Sequence, residues 1–535
     1  MRRIGFGSFF TACVLAALIL AIPSRVDGAA YQIDLCSRKT GKRTRVTVLK
    51  SNSEFLDVLN EDGEHIILQA NNYEQCPAGP QSTAPVVVEP PVTPPRPKAL
   101  DTLRITGSST VGLGTLPYLI AGYAHKIGAK VKVAATDDPL RKLYELRNSP
   151  GEAPFLRIIV KSTGSNTALP DIIGKLADVG VSSRPYTDEE IAKLLAIRGV
   201  GSRSDVEHVI ALDGIQFFVN RANPVTVLQI CDVARLFSGK IKTWNELAPG
   251  DGDAVDVHTG DARSGTFEIV TENLLAPCGE KLGPATTPHN SQPEIIAFVA
   301  GSPGGLGYSA KALSSSQVKT IRLRGKCGIE TDPTSFNIKA EDYSLSRRLY
   351  LFTPRAVGDN AQAFLDYVFS SDAAQSALKD SHATDQSIEF SETDTRLASA
   401  RSLRENKDPL ADKFAADSSR ARRLSLSYRF ASNNATLDTK AEQDIIRLVT
   451  YLRANRTPDK ILLAGFADPD GTRAANQRLS QDRAEAVRRE IARLDPELAA
   501  SLTAQGYGSV MPVACNDTEL GKAKNRRVEV WLKHG

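Results

Sequence analysis

Three short turns limit what the middle of this chain can become. Gly107-Ser-Ser-Thr110-Val111 follows the strand-like Leu103-Arg-Ile-Thr, Ser162-Thr-Gly-Ser165-Asn-Thr167 follows Arg157-Ile-Ile-Val, and Arg263-Ser264-Gly265-Thr266-Phe267 follows Val255-Asp-Val-His. Each turn places hydroxyls and glycine between an apolar strand pattern and a helical one. That rhythm is an α/β unit, expected to be mainly parallel. Lys130-Val-Lys-Val adds a strand, and Leu140 to Leu146 and Ala168 to Leu176 read as helical stretches. In open sheets of this kind ligands sit where strand ends meet helix starts. Glycine lets the backbone approach a ligand there, and Ser and Thr add hydroxyls to the main-chain N–H groups. One such turn is an ordinary helix cap. Three in one unit make a cradle for a small oxyanion, held by neutral donors and an arginine.

The rest of the chain divides around this unit. At 535 residues it needs about three or four separate cores. Arg2-Arg3, an apolar run from Phe9 to Ile22 and the small residues Gly28-Ala29-Ala30 read as a secretory signal peptide over residues 1–30. The run is too short to favour a spanning helix. Residues 31–76 carry strand-like Arg45-Val-Thr-Val-Leu and His65-Ile-Ile-Leu-Gln, a small β module expected to be closed by Cys36 and Cys76. Cys278 with Cys327 is a second expected pair, and Cys515 has no evident partner. Residues 77–100 are crowded with proline and form a stiff spacer, spanning roughly 70 Å if extended at about 3.1 Å per residue. The oxyanion unit then occupies 101–385, a polar spacer 386–423, and a last domain 424–535.

In that last domain Ile461 to Phe466 is an apolar strand pattern ending at Asp468-Pro-Asp-Gly. Ser480 reads as the N-cap of the next helix, which puts Arg483 in its first turn, facing Asp468 across the loop mouth. A ligand carrying both an ammonium and a carboxylate suits such a pair, the guanidinium offering a two-pronged fork. Ile445, Leu448, Val449 and Leu452 give a helix stripe and Val528, Val530 and Leu532 a final strand, hence an α+β sandwich.

The residues from Phe430-Ala-Ser through Gly465-Phe-Ala-Asp468, Asn476, Leu479-Ser480, Arg483-Ala484, Gly506-Tyr-Gly508 and Asn525-Arg526-Arg527-Val528 resemble the OmpA-like peptidoglycan-binding domain. That resemblance implies that Asp468 and Arg483 grip the diaminopimelate of the wall peptide and that Asn476 orders the loop. The family usually has Thr before the Asp, where this chain has Ala467.

Residues from about Leu103 to Asp380 resemble the periplasmic phosphate-binding protein of PstS type. The turns above carry the likeness, together with Leu176-Ala-Asp-Val-Gly-Val-Ser182-Ser183-Arg184-Pro185, Phe237 to Trp244, Gly304 to Tyr308 and Leu345 to Pro354. The resemblance implies a two-lobed, hinged protein closing on phosphate, with Thr110, Val111, Ser165, Ser264, Gly265 and Thr266 around the anion. Two positions depart from the pattern. The family's acidic acceptor falls at Ser183, with Arg184 beside it, and its arginine falls at Gly260, with Arg263 next to Ser264 instead. Without the carboxylate, rejection of fully ionised oxyanions such as sulfate is not assured.

No Gly-x-Ser-x-Gly, phosphate-loop Gly-Lys-Ser/Thr or His-Glu-x-x-His motif occurs, the histidines lack metal-ligand spacing and there is no Cys-x-x-Cys. Neither enzyme, metal site nor cofactor is expected. A formal charge of +4 does not suggest nucleic acid. The expectation is an exported, wall-anchored oxyanion receptor at the outer side of the envelope, phosphate first among its ligands, with an ABC-type permease as partner. The alternative is a structural envelope protein whose middle domain binds a protein or keeps a vestigial pocket.

Overall fold

The computed structural model describes the strands within residues 31–75, and residues 100–533 apart from 135, 139, 248–252, 263, 290, 312–314, 371, 382, 392–407 and 456–459. The expected signal peptide, residues 77–99 of the Pro-rich spacer, Cys76 and residues 392–407 of the polar spacer lie outside the described residues. Among those described, no helix is long and apolar enough to cross a membrane.

The first unit is a sheet of five strands, Tyr31–Ser37, Arg43–Ser51, Phe55–Leu59, His65–Gln69 and Tyr73–Gln75. Each of the first three pairs antiparallel with the next, and the fifth pairs antiparallel with the first.

In the second unit a mixed sheet runs through both lobes of the middle domain. Two strands cross from lobe to lobe, Glu207–Asn220 and Ser346–Phe352, paired antiparallel from Glu207↔Phe352 to Gly214↔Ser346. The first of these is buried along nearly all of its 14 residues, as a near-continuous apolar run requires. It feeds two cores. Ile210 and Ala211 join Leu103, Ile105, Leu119, Ile158 and Leu351 in the first lobe, while Leu212, Ile215, Phe217 and Val219 join Phe237, Trp244 and Tyr308 in the second.

The sheet corrects two expectations. It is not mainly parallel, because the parallel sets around Asp101–Gly107 and around Asp256–Gly260 are joined by antiparallel hinge strands. Nor is Leu140 to Leu146 helical. Arg141–Arg147 is a strand lying antiparallel between Lys130–Ala134 and Leu156–Lys161.

The last domain is a four-stranded sheet, Ala421–Arg429, Arg527–Lys533, Lys460–Phe466 and Leu502–Gly506 in that spatial order. Helices Thr439–Asn455 and Arg473–Leu494 bury Ile445, Leu448, Val449, Ala484, Val487 and Ile491 against one face. The expected spacer contributes to the other face. Its helix Pro409–Asp417 is capped by Asp408 and packs Phe414 on Phe466, Tyr507 and Trp531.

Both disulfide expectations open to description are revised. Cys278 pairs with Cys231 inside the second lobe, and Cys327 pairs with Cys515 of the last domain. Around that second bridge the two domains share buried charges. Asp342 accepts from Arg423 and Arg429, Arg348 donates to Asp438 at 2.6 Å, and Lys524 Nζ donates to the carbonyls of Glu341 and Tyr343 and to Ser346 Oγ.

Candidate functional site

Backbone bonds gather the first lobe's turns at the ends of parallel strands. Gly164 N donates to Gly107 O at 2.8 Å and Ser108 N to Val181 O at 2.9 Å. Gly107 has a φ of 130°, and a Cβ there would stand 2.1 Å from Val181 O, so only glycine lets these strand ends meet. Ser165 Oγ accepts from Ser183 N at 3.1 Å and lies 3.1 Å from Ser183 Oγ. Both serines are buried. Arg184 is occupied elsewhere. Two of its nitrogens donate to Glu190 at 2.8 and 3.0 Å, its Nε donates to Asn166 Oδ1, and the ring of Tyr186 lies beneath it. The Arg184 hydrogen bonds hold the Glu190 carboxyl down to about 2 against the opposing effect of burial.

The second lobe brings its turn onto the first. A Cβ on Gly265 would sit 1.8 Å from Thr110 Oγ1 and 3.4 Å from Arg347 Nη2. Ser264 Oγ caps the short helix Gly265–Ile269 by accepting from Phe267 N at 3.2 Å. Arg263 lies outside the described residues. Val111 is fully buried in the first lobe's core.

The cation at the base of this cleft is one that turn reading missed. Arg347, on a hinge strand, donates from Nη2 to Thr110 Oγ1 at 3.0 Å and from Nη2 and Nε to Asp213 Oδ2 at 3.2 and 3.3 Å. Asp213 is its direct cross-strand neighbour on the other hinge strand. Burial pulls the Arg347 guanidinium down from its usual range, with Asp213 opposing. The one available signal was Asp213, a charge in the middle of a nearly apolar strand, because a buried charge in such a run needs a partner, but nothing local names Arg347, second in its strand beside Arg348, as that partner.

The neighbours of the hydroxyls determine what those hydroxyls do. Thr110 Oγ1 accepts from Arg347, and Thr266 Oγ1 accepts from Gln292 Nε2 at 3.0 Å while Gln292 Oε1 accepts from Ala310 N at 2.7 Å. A hydroxyl that accepts keeps its own proton for another acceptor. The arrangement therefore leaves the hydroxyl protons of both threonines to be donated elsewhere.

In the last domain the helix begins at Arg473, capped by Thr472 Oγ1, and Ser480 lies well inside it. The strong local cap at Thr472, three residues before Ala475 N, outcompetes Ser480, whose hydroxyl instead donates to Gln477 O and accepts from Gly508 N. Arg483 is fully buried. It donates to the carbonyls of Asn434, Ala431 and Phe466 at 3.0, 3.0 and 3.3 Å, and burial pulls it down to about 10. Asp468 accepts from Arg526 Nη1 at 2.8 Å, so its ion-pair partner is Arg526 and not Arg483. Asn476 is buried at the start of the same helix, beside Gly471.

A two-lobed domain crossed by hinge strands, with a donor-lined cleft at their midpoint, is the architecture of a solute-binding protein. The chain belongs to the PBP superfamily, matching its domain over residues 92–372, and carries an OmpA family domain over residues 429–526. It is 28% identical over 245 residues to the phosphate-binding protein PstS of Pseudomonas aeruginosa, covering 43% of this chain and 74% of that one. With the same-named protein of Staphylococcus saprophyticus it shares 27% over 213 residues, 39% of this chain and 64% of the relative's length. Outer membrane porin F of Pseudomonas fluorescens is 36% identical over 111 residues, 21% of this chain and 33% of the porin. Among solved structures, an ABC-type phosphate transport receptor from Vibrio cholerae superposes with a TM-score of 0.38 at 21% identity, over 52% of this chain and 96% of that one.

Proposed function

We propose that this protein is an exported, peptidoglycan-anchored solute-binding protein for a small tetrahedral oxyanion, phosphate first, passing it to an ABC-type permease. The observation that carries the reading is the meeting of Thr110, Gly265 and Arg347 at the hinge, with Ser165, Ser183 and Thr266 on either side. Oriented hydroxyls, main-chain N–H groups and one buried guanidinium match the surface of a dehydrated tetrahedral anion. The phosphate-binding relatives support the same ligand.

Titration calorimetry on the full chain tests it. Micromolar phosphate binding is expected, weakened at least about tenfold by Thr266→Val, which removes one charge-assisted donor. No heat with phosphate, arsenate or sulfate would overturn the reading in favour of a structural envelope protein.

For the anchor, the resemblance to the OmpA-like domain points to Asp468, Asn476 and Arg483 as the residues that would contact the wall peptide. Arg483 spends three of its five N–H donors on the Asn434, Phe466 and Ala431 carbonyls, which leaves two for a ligand carboxylate. Sedimentation with purified peptidoglycan should be lost in Asp468→Ala and in Arg483→Ala. Undiminished pull-down in both variants removes the assignment.

A further inference from the structure

Gln292 opens the helix Gln292–Gly301, whose N-cap Ser291 accepts from Glu294 N. The side chain of Gln292 is committed inward, between two buried residues of the second lobe. Its Oε1 accepts from Ala310 N at 2.7 Å and its Nε2 donates to Thr266 Oγ1 at 3.0 Å. Ala310 and Thr266 are 3% and 4% exposed. A main-chain N–H only donates, so the carboxamide oxygen must face Ala310 and the NH2 must face the threonine. Ala310 ends the strand Gly305–Ala310, in register with Ile215 on the hinge strand Glu207–Asn220. The sheet thereby fixes the direction of the Thr266 hydroxyl, through a side chain 26 positions further along the chain. The Ser-Gly-Thr turn alone does not.

We propose that Gln292 is a positioning residue for the anion cleft: by obliging Thr266 Oγ1 to accept, it holds that hydroxyl's proton ready for an oxygen of the bound anion. The inference rests on the oxyanion reading above and deepens it, adding a residue that itself touches no ligand. A free threonine hydroxyl turns among several orientations and offers its neighbour either a lone pair or a proton. With a lone pair already engaged by the amide N–H, less ordering remains to be done when the anion arrives. A carboxylate in the same place has the opposite effect. It accepts and cannot donate, so it draws the Thr266 proton to itself and leaves a lone pair toward the anion.

The test is calorimetry with inorganic phosphate on the full chain, for the wild type, Gln292→Glu, Gln292→Met, Thr266→Val and the two double variants. Glutamate keeps an acceptor for Ala310 N and suits the first turn of a helix, whereas methionine loses both contacts. A residue that only braces the fold would tolerate Glu better than Met. A residue that orients Thr266 reverses the order. Met should weaken phosphate binding about threefold, by freeing the hydroxyl, and Glu at least about thirtyfold, with the Glu variant unfolding no earlier than the Met variant. The added charge also repels the anion, and the Thr266→Val background separates the two effects: there the Glu penalty should shrink at least about fivefold. Glu binding phosphate as well as Met does overturns the proposal, as does a Glu penalty equal in both backgrounds. Should the Glu variant not fold, the Met and Val changes decide: Met should cost nothing further once Thr266 is Val, and additive losses overturn the proposal. No heat from the wild type is a different result, the failure of the oxyanion reading itself.

Discussion

His208 is half-buried on a hinge strand, its ring stacked on Phe369 at 4.0 Å and its Nε2 2.9 Å from Thr353 Oγ1. Burial pushes its pKa down to about 4 from 6.5, so the folded protein holds it neutral while the unfolded chain takes up a proton. Stability from this group is full above about pH 6.5 and is lost as pH falls toward 4, a swing on the order of 3 kcal/mol. Thermal unfolding between pH 4 and 7 should fall more steeply in the wild type than in His208→Gln. At the cleft, Gly265→Ala should lower anion affinity at least about tenfold with unchanged circular dichroism, since its Cβ would displace Thr110 from Arg347. The turn residues were legible because Ser, Thr and Gly after an apolar strand carry their own local reason. Arg347 and Asp213 were not, because each is explained only by a partner more than a hundred positions away in the chain.

The element most misread was the helix Arg473–Leu494. Ser480 satisfies the composition of a cap, but the choice between it and Thr472 is made by contacts outside the helix. Gly465 and Gly506 on neighbouring strands bring the sheet against Ser480. A Cβ on Gly465 would stand 2.0 Å from Ser480 O, a main-chain atom that cannot swing aside. Gly465→Ala should cost the last domain about 3 kcal/mol, the upper range for overpacking, read as a lowered unfolding midpoint in denaturant. Strand Arg141–Arg147 was misread for the opposite reason. Its charged, long side chains favour helix in isolation, and only pairing on both edges overrides that preference. The apolar stripes of Thr439–Asn455 and Arg527–Lys533 were readable because burial and periodicity agree there.

At the scale of the molecule, the Cys327–Cys515 bridge and the charges around Asp342 join the OmpA domain to the hinge side of the two-lobed domain. Breaking one partner of such a buried pair leaves an uncompensated charge and costs about 3–5 kcal/mol. Calorimetric unfolding of the oxidised protein should therefore be one joint transition for these two domains. Cys515→Ser combined with Asp342→Ala should split it in two, and a single peak in that double variant would contradict the coupling. No sequence pattern foretold this junction, since Cys327 and Cys515 are 188 positions apart.

Residues 524 to 526 carry that junction further. Lys524 ends on the hinge, next to Arg347, and two positions on Arg526 ends on Asp468. These contacts and the Cys327–Cys515 bridge tie the two-lobed half to the OmpA half. Whatever sets the bearing of the carboxyl-terminal domain also sets the compass heading of the cleft mouth, so molecules fixed side by side would face their solute from a common direction.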